Sequence, residues 1–243
     1  APPIAAPPVP APTAAAVAAA LARIPCSALA ADVRAGGVAV QGFVSRAVGT
    51  AGVREPLLAM SGMPAVHLAV REVDPGMCRV LSTFAPYWIA HRQAGGGTGL
   101  RLAGAGKTTT TAGATLAAGD SLMVDVTTPA TASFMTVDAY SPDAGVIHLL
   151  PNALALDNRA PPGHRATIGR PGDWTIGKSA GSGLIVVLVT TPEPLFATLR
   201  RESEPSPEYL AEVAKNLARM RAQSGAGKGA GKIGVEFLPV ATR

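Results

Sequence analysis

Apolar and polar residues alternate along much of this chain, and proline, glycine and aspartate interrupt the alternation at intervals. Val38-Ala39-Val40-Gln41-Gly42-Phe43-Val44 and Val66-His67-Leu68-Ala69-Val70 have the period of two that puts one face of a strand into a core. Residues 77–84 (MCRVLSTF) are expected as a further strand beyond the turn Asp74-Pro75-Gly76. Residues 14–23 (AAAVAAALAR) are rich in the strongest helix former and predict a helix. Ile24-Pro25-Cys26 opens a helix-like run, in which Ser27 is placed to cap a second short turn. Residues 55–60 (EPLLAM) predict a short helix with proline near its start. The order helix, strand, helix, strand, strand describes a small α+β module over residues 14–91.

From Tyr87 the helical signals stop, and short alternating runs take over. They are Leu100-Arg101-Leu102 and residues 121–126, 134–140, 146–150, 167–168, 174–176 and 183–190. Turn residues stand between them at Gly119-Asp120, Ser141-Pro142-Asp143 and Pro161-Pro162-Gly163. Such a series predicts a mainly antiparallel β-sandwich or partly closed barrel over residues 92–243. Within it, Tyr209, Leu210, Val213, Leu217 and Met220 recur at spacings of three and four, so residues 207–222 should be a helix with one apolar face. Residues 233–240 (IGVEFLPV) should return to the sheet as a strand. The expected class is α+β: a small Cys-containing module, then a β-sandwich with a C-terminal helix.

Composition narrows this picture. Residues 1–13 (APPIAAPPVPAPT) hold six prolines and favour an extended linker, which suggests an anchor or another domain upstream. With 48% hydrophobic and 15% charged residues, wholesale disorder is excluded. No uncharged apolar run approaches the ~20 residues that span a bilayer. Two cysteines cannot build a disulfide-dense scaffold or a four-Cys zinc site. Cys26 and Cys78 are either two buried thiols or one bridge stapling two edges of the module. The bridge is the preferred reading, worth ~3–4 kcal/mol through the unfolded chain, and it implies an oxidising, extracytoplasmic compartment.

Candidate chemistry is sparse. Residues 102–108 (LAGAGKT) imitate a phosphate-binding loop, but Arg101 stands where the first glycine belongs. Residues 177–181 (GKSAG) match the G-x-S-x-G pattern around Ser179, yet a strand rather than a helix should follow and no histidine lies downstream. His67, His91, His148 and His164 have no ligand spacing, and a metal site from His148, His164 and Asp157 has no support. No metal and no cofactor are expected. A strand histidine such as His148 is expected to be half-exposed or hydrogen-bonded. Asp125 and Asp138 sit at polar alternation positions and are expected to face solvent. The net charge of +5 has one local expression, in Arg159, Arg165, Arg170 and Lys178 around Trp174. These residues read first as an ordinary solvated loop and second as a candidate contact for an acidic partner or envelope surface; with 4% aromatics and no recognised motif, nucleic acid is not expected.

Residues 116–199 carry a combination of short motifs: Ala118-Gly119-Asp120-Ser121-Leu122, Val126-Thr127-Thr128-Pro129, Val137-Asp138-Ala139-Tyr140, His148-Leu149-Leu150-Pro151-Asn152, and Leu184-Ile185-Val186-Val187 followed by Glu193-Pro194-Leu195-Phe196. This combination resembles a bacterial domain family of unknown function, recurrent in envelope proteins and often C-terminal to Ser/Thr protein kinase or caspase-like domains. The Pro25-Cys26-Ser27 start and Cys78-Arg79-Val80-Leu81 also resemble the small Cys-bridged module that precedes this domain in some kinase fusions. The resemblance implies a β-sandwich with no catalytic residues to carry over, and makes the turn from His148 to Asn152 a structural or binding feature. Ala139 stands where the family tends towards a second aromatic, which weakens the case for an aromatic ligand platform.

The expected function is a non-catalytic, extracytoplasmic (periplasmic) sensor or protein-interaction region, tethered through an upstream anchor and serving a membrane-anchored signalling protein such as a Ser/Thr kinase. Its partner would be a protein or a small ligand. Two alternatives stand beside it: a structural or assembly component of an envelope complex, docking through sheet edges, and a hydrolase using Ser179 or His148.

Overall fold

The N-terminal alanines wind into α1 (Ala14–Leu21), capped by Thr13, whose side chain accepts from the Ala16 N–H at 3.2 Å. The antiparallel strands β1 (Ser27–Arg34) and β2 (Gly37–Ser45) follow. A helix, α2 (Gly49–Leu58), then crosses to β3 (Val66–Val73), which lies parallel to β2. These elements belong to a computed structural model that describes residues 11–34, 36–103, 114–177, 183–223 and 232–243.

Neighbouring strand residues point to opposite faces, and both faces of this first sheet are used. Leu29, Val38, Val40 and Val44 pack on Val17 and Leu21 of α1 and on Val53 and Leu57 of α2. Ala28, Ala30 and Phe43 on the other face pack on α3 (Cys78–Gln93).

Helix α3 corrects the expectation of a strand over residues 77–84. A window of eight residues containing Val80, Thr83 and Phe84 looks extended. Followed past Pro86, the buried residues Val80, Leu81, Phe84, Ala85, Trp88 and His91 form a helical stripe. Pro86 sits inside the helix and removes one backbone donor without ending it. Asp74 starts the turn into α3 by accepting from the Gly76 N–H at 2.9 Å. Ser27 is likewise not a helix cap: it opens β1, and its hydroxyl donates to the Ile24 carbonyl at 2.8 Å. Cys26 and Cys78 form a disulfide that ties the entry to β1 to the first residue of α3.

Two further sheets form the sandwich. The smaller places β6 (Val124–Thr127) between β4 (Gly99–Leu102) and β10 (Arg165–Ile168), all antiparallel. The larger runs in the order β12 (Ser203–Pro205), β8 (Gly145–Leu150), β7 (Ser133–Tyr140), β11 (Leu184–Thr191), β13 (Gly234–Thr242) and β5 (Ala114–Leu116), with β9 (Arg159–Ala160) beside β7. Only the β13–β5 pair is parallel in this sheet. Residues 174–176 do not form a strand; Thr175 makes a single bridge to Ser121.

One face of the large sheet, through Val137, Leu149, Val186, Leu188 and Leu238, meets Leu122, Val124 and Val126 of the small sheet side. The opposite face, through Tyr140, Ile185, Val187, Val235 and Phe237, lies under α3 and α4 (Ser206–Gln223). Double coverage explains the unbroken apolar run Leu184-Ile185-Val186-Val187-Leu188-Val189 in β11: both sides of the strand face a core. The layers are therefore small sheet, large sheet, helices α3 and α4, first sheet, and helices α1 and α2. Among the described residues no helix is long and apolar enough to cross a membrane.

Candidate functional site

The hairpin of β7 and β8 sets the site. Counting back from its turn pairs Tyr140 with Val146, Ala139 with Ile147 and Asp138 with His148, after which the register shifts. Asp138 does not face solvent as its alternation position suggested. Helix α4 covers this face of the sheet, and Asp138 is 1% exposed. Its carboxylate accepts from the Tyr209 hydroxyl at 2.7 Å, from His148 Nδ1 at 2.7 Å and from the Tyr140 hydroxyl at 3.4 Å. These three donors replace the water that a buried carboxylate has lost.

The network continues outward. His148 Nε2 lies 3.1 Å from Glu204 Oε1 on β12. Arg200 donates to Glu204 from Nε at 2.8 Å and from Nη2, and to Glu212 of α4 from Nη1 at 2.8 Å. The Arg200 guanidinium also stands 5.0 Å over the ring of Phe196 and 5.6 Å over that of Tyr209. Charges thus alternate from core to surface: Asp138, His148, Glu204, Arg200, Glu212.

Burial works against a charged His148 ring, but hydrogen bonds and charges from Asp138 and Glu204 outweigh it and raise its pKa above 6.5. Arg200 holds the Glu204 carboxyl below its ordinary 4.5, against partial burial and with help from His148. Burial, followed by the charge of Asp138, pushes the Tyr140 and Tyr209 hydroxyls well above 10.0. Both ring nitrogens of His148 face carboxylate oxygens, so the protonated ring can donate from both. While it is protonated, the ring has no lone pair with which to accept a proton.

The sign of the pH dependence follows. A raised His148 pKa contributes stability that is complete below 6.5 and is lost as pH rises through the raised value. A lowered Glu204 pKa contributes stability that is present above 4.5 and is lost as pH falls through the lowered value. His91, lowered first by burial and then by Arg92, acts in the opposite sense but below 6.5, where stability is gained as pH rises through its lowered value. We expect the midpoint of chemical denaturation to decline as pH rises from about 6.5 through the raised His148 value, and His148→Gln to flatten that decline. An unchanged slope in the variant would show that His148 does not carry it.

Above this network lies a cavity of about 180 Å³, with His148, Tyr209, Phe196, Thr136, Leu156 and Leu199 in its lining. Asn152 shapes its rim. The peptide between Leu150 and Pro151 is cis, and the buried Asn152 amide donates to the Leu149 carbonyl at 2.7 Å. Asn152 Oδ1 accepts from the N–H groups of Leu154 at 2.8 Å and Ala155 at 2.9 Å. That loop carries Leu154 and Leu156, which are 84% and 66% exposed, and Leu199 across the rim is 46% exposed. Leu156 and Leu199, apolar side chains left in water at one cavity, suit an apolar contact.

His148 and Asn152 are thus brought to one place; the basic residues are not. Arg159 lies on β9, 5.7 Å over the ring of Phe134. Arg165 is exposed on β10, beside the pair formed by Arg101 and Asp125 at 3.2 Å. Arg170 opens a turn in which its N–H donates to Asp173 at 2.9 Å. Trp174 packs against the sandwich core, close to Gly169. Lys178, Ser179 and residues 104–108 lie outside the described residues. Among the described residues no group of three or more His, Cys, Asp or Glu is placed to hold a metal ion. Glu204, Arg200 and Tyr209 went unmarked as site residues because nothing in their spacing links them to residue 148. Asp138 was accessible by counting the hairpin register.

No protein-family model, no curated protein and no solved structure matches this chain.

Proposed function

We propose that this chain is a non-catalytic, extracytoplasmic sensor or protein-interaction region, carried in the periplasm by a membrane-anchored bacterial signalling protein such as a Ser/Thr kinase. The observation that carries the reading is the cavity over His148: an apolar rim on a floor whose charges are all paired within the protein. Such a floor fixes shape, and such a rim gains free energy when Leu156 and Leu199 are covered. The disulfide supports an oxidising compartment. The tether and the kinase association rest on the motif resemblance of residues 116–199.

In the full-length protein, a photoreactive side chain at position 156 or 199 should cross-link one saturable partner in intact cells. Leu156→Glu with Leu199→Glu should abolish the cross-link and leave the circular dichroism spectrum unchanged. Turnover of ester or peptide libraries that disappears with His148→Ala or Ser179→Ala would overturn the non-catalytic reading. A reading frame with neither a membrane span nor a kinase domain would overturn the tether and the kinase association.

A further inference from the structure

A second cavity, of about 460 Å³, lies where the inner face of the first sheet diverges from β4 and β13, around the end of α3. Its walls combine aromatic surface, from Phe43, Trp88 and Phe237, with the guanidinium groups of Arg71, Arg92 and Arg101. Two of these cations are spoken for. Arg92 donates to Glu236 at 3.0 Å while lying 5.3 Å over the Trp88 ring, and Arg101 pairs with Asp125 at 3.2 Å. The Glu236 carboxylate is completed by Thr98, which donates at 3.1 Å and accepts from His91 Nε2 at 2.7 Å.

Arg71 has no such partner. It is half-buried, it stands on β3 opposite Phe43, and no hydrogen bond or ion pair reaches its side chain among the described residues. All sixteen acidic side chains of the chain fall within the described residues, so no carboxylate elsewhere neutralises it. After both ion pairs are counted, the cavity keeps one positive charge. Trp88 also serves Glu236, since its indole helps to hold down the carboxyl pKa that burial raises. An unpaired guanidinium is costly beside apolar walls.

We infer that this cavity binds a small organic monocarboxylate with an apolar body, its carboxylate on Arg71 and its body against Trp88 and Phe237. A guanidinium matches a carboxylate in two parallel hydrogen bonds, and the volume falls within the range of small-molecule sites. The inference is independent of the cavity over His148.

Trp88 supplies the readout. Trp174→Phe leaves it as the sole tryptophan of the chain. In that background, phenylacetate should change the Trp88 emission saturably, while phenylacetamide, the same body without the charge, should bind about tenfold more weakly or worse. Arg71→Gln should weaken phenylacetate by a similar factor and leave the denaturation midpoint unchanged. Arg170→Gln, outside the cavity, should have no effect. Equal binding of acid and amide, equal binding to the Arg71 variant, or no saturation by about 10 mM would each overturn the inference. Inorganic phosphate binding in place of phenylacetate would overturn it too, since the apolar body would then have no role.

Discussion

Asp138→Ala will destabilise the fold by about 3–5 kcal/mol, the cost of stranding a buried charge by removing its partner. The alanine leaves the His148 ring with one carboxylate instead of two and leaves the hydroxyls of Tyr140 and Tyr209 without their acceptor. All three groups are buried under α4, where water does not readily replace the lost oxygen atoms. Asp138→Asn should cost less, because its amide oxygen still accepts from one of these donors. His148→Ala should be severe alone and add little on top of Asp138→Ala, since the stranded charge is then gone. Denaturant titration of the two single variants and the double variant gives this coupling, expected at about 1–3 kcal/mol. A loss below about 1 kcal/mol for Asp138→Ala would mean that α4 opens enough for water to enter.

Opening the bridge between Cys26 and Cys78 has an effect of similar size. The sequence separation is 52 residues, and closing a loop of that length in the unfolded chain is worth about 4 kcal/mol. Part of that is offset. Cys26 has φ 51°, a left-handed backbone that costs a residue with a Cβ about 1–2 kcal/mol, and the bridge helps to hold it there. The variant pair Cys26→Ala with Cys78→Ala should therefore lose about 2–3 kcal/mol, and Cys26→Gly with Cys78→Ala somewhat less, because glycine accepts the left-handed conformation. Denaturation of the oxidised protein against each pair measures both quantities. Equal stability of all three proteins would place the bridge outside the cooperative fold.

The sandwich was legible because its signals are short-range. Val146 to Leu150, the run in β11 and the stripe from Tyr209 to Met220 carry their own periodicity, and strand ends and helix ends fell within a few residues of expectation. What escaped depended on a third element. Residues 28–34 (ALAADVR) carry too little apolar area to announce β1, which exists because β2 pairs along its full length and α3 covers Ala28 and Ala30. Asp138 looked like a surface residue because one strand cannot report that α4 will cover it. The Asp138–His148 pairing was within reach of a register count; the arrival of Glu204 and Arg200 from β12 and its approach was not. Short strands such as β5 and β9 are held by their neighbours and have no signal of their own.

Helix α3 presents side chains to two sheets at once, with Phe84 and Trp88 touching Tyr140, Phe43 and Phe237 on either side. A helix that two sheets share acts as a coupling bar. Denaturant or tension that strips the first sheet must also bare the helical face of the large one, so hydrogen exchange should register the slowest amides of β2 and β11 as opening together.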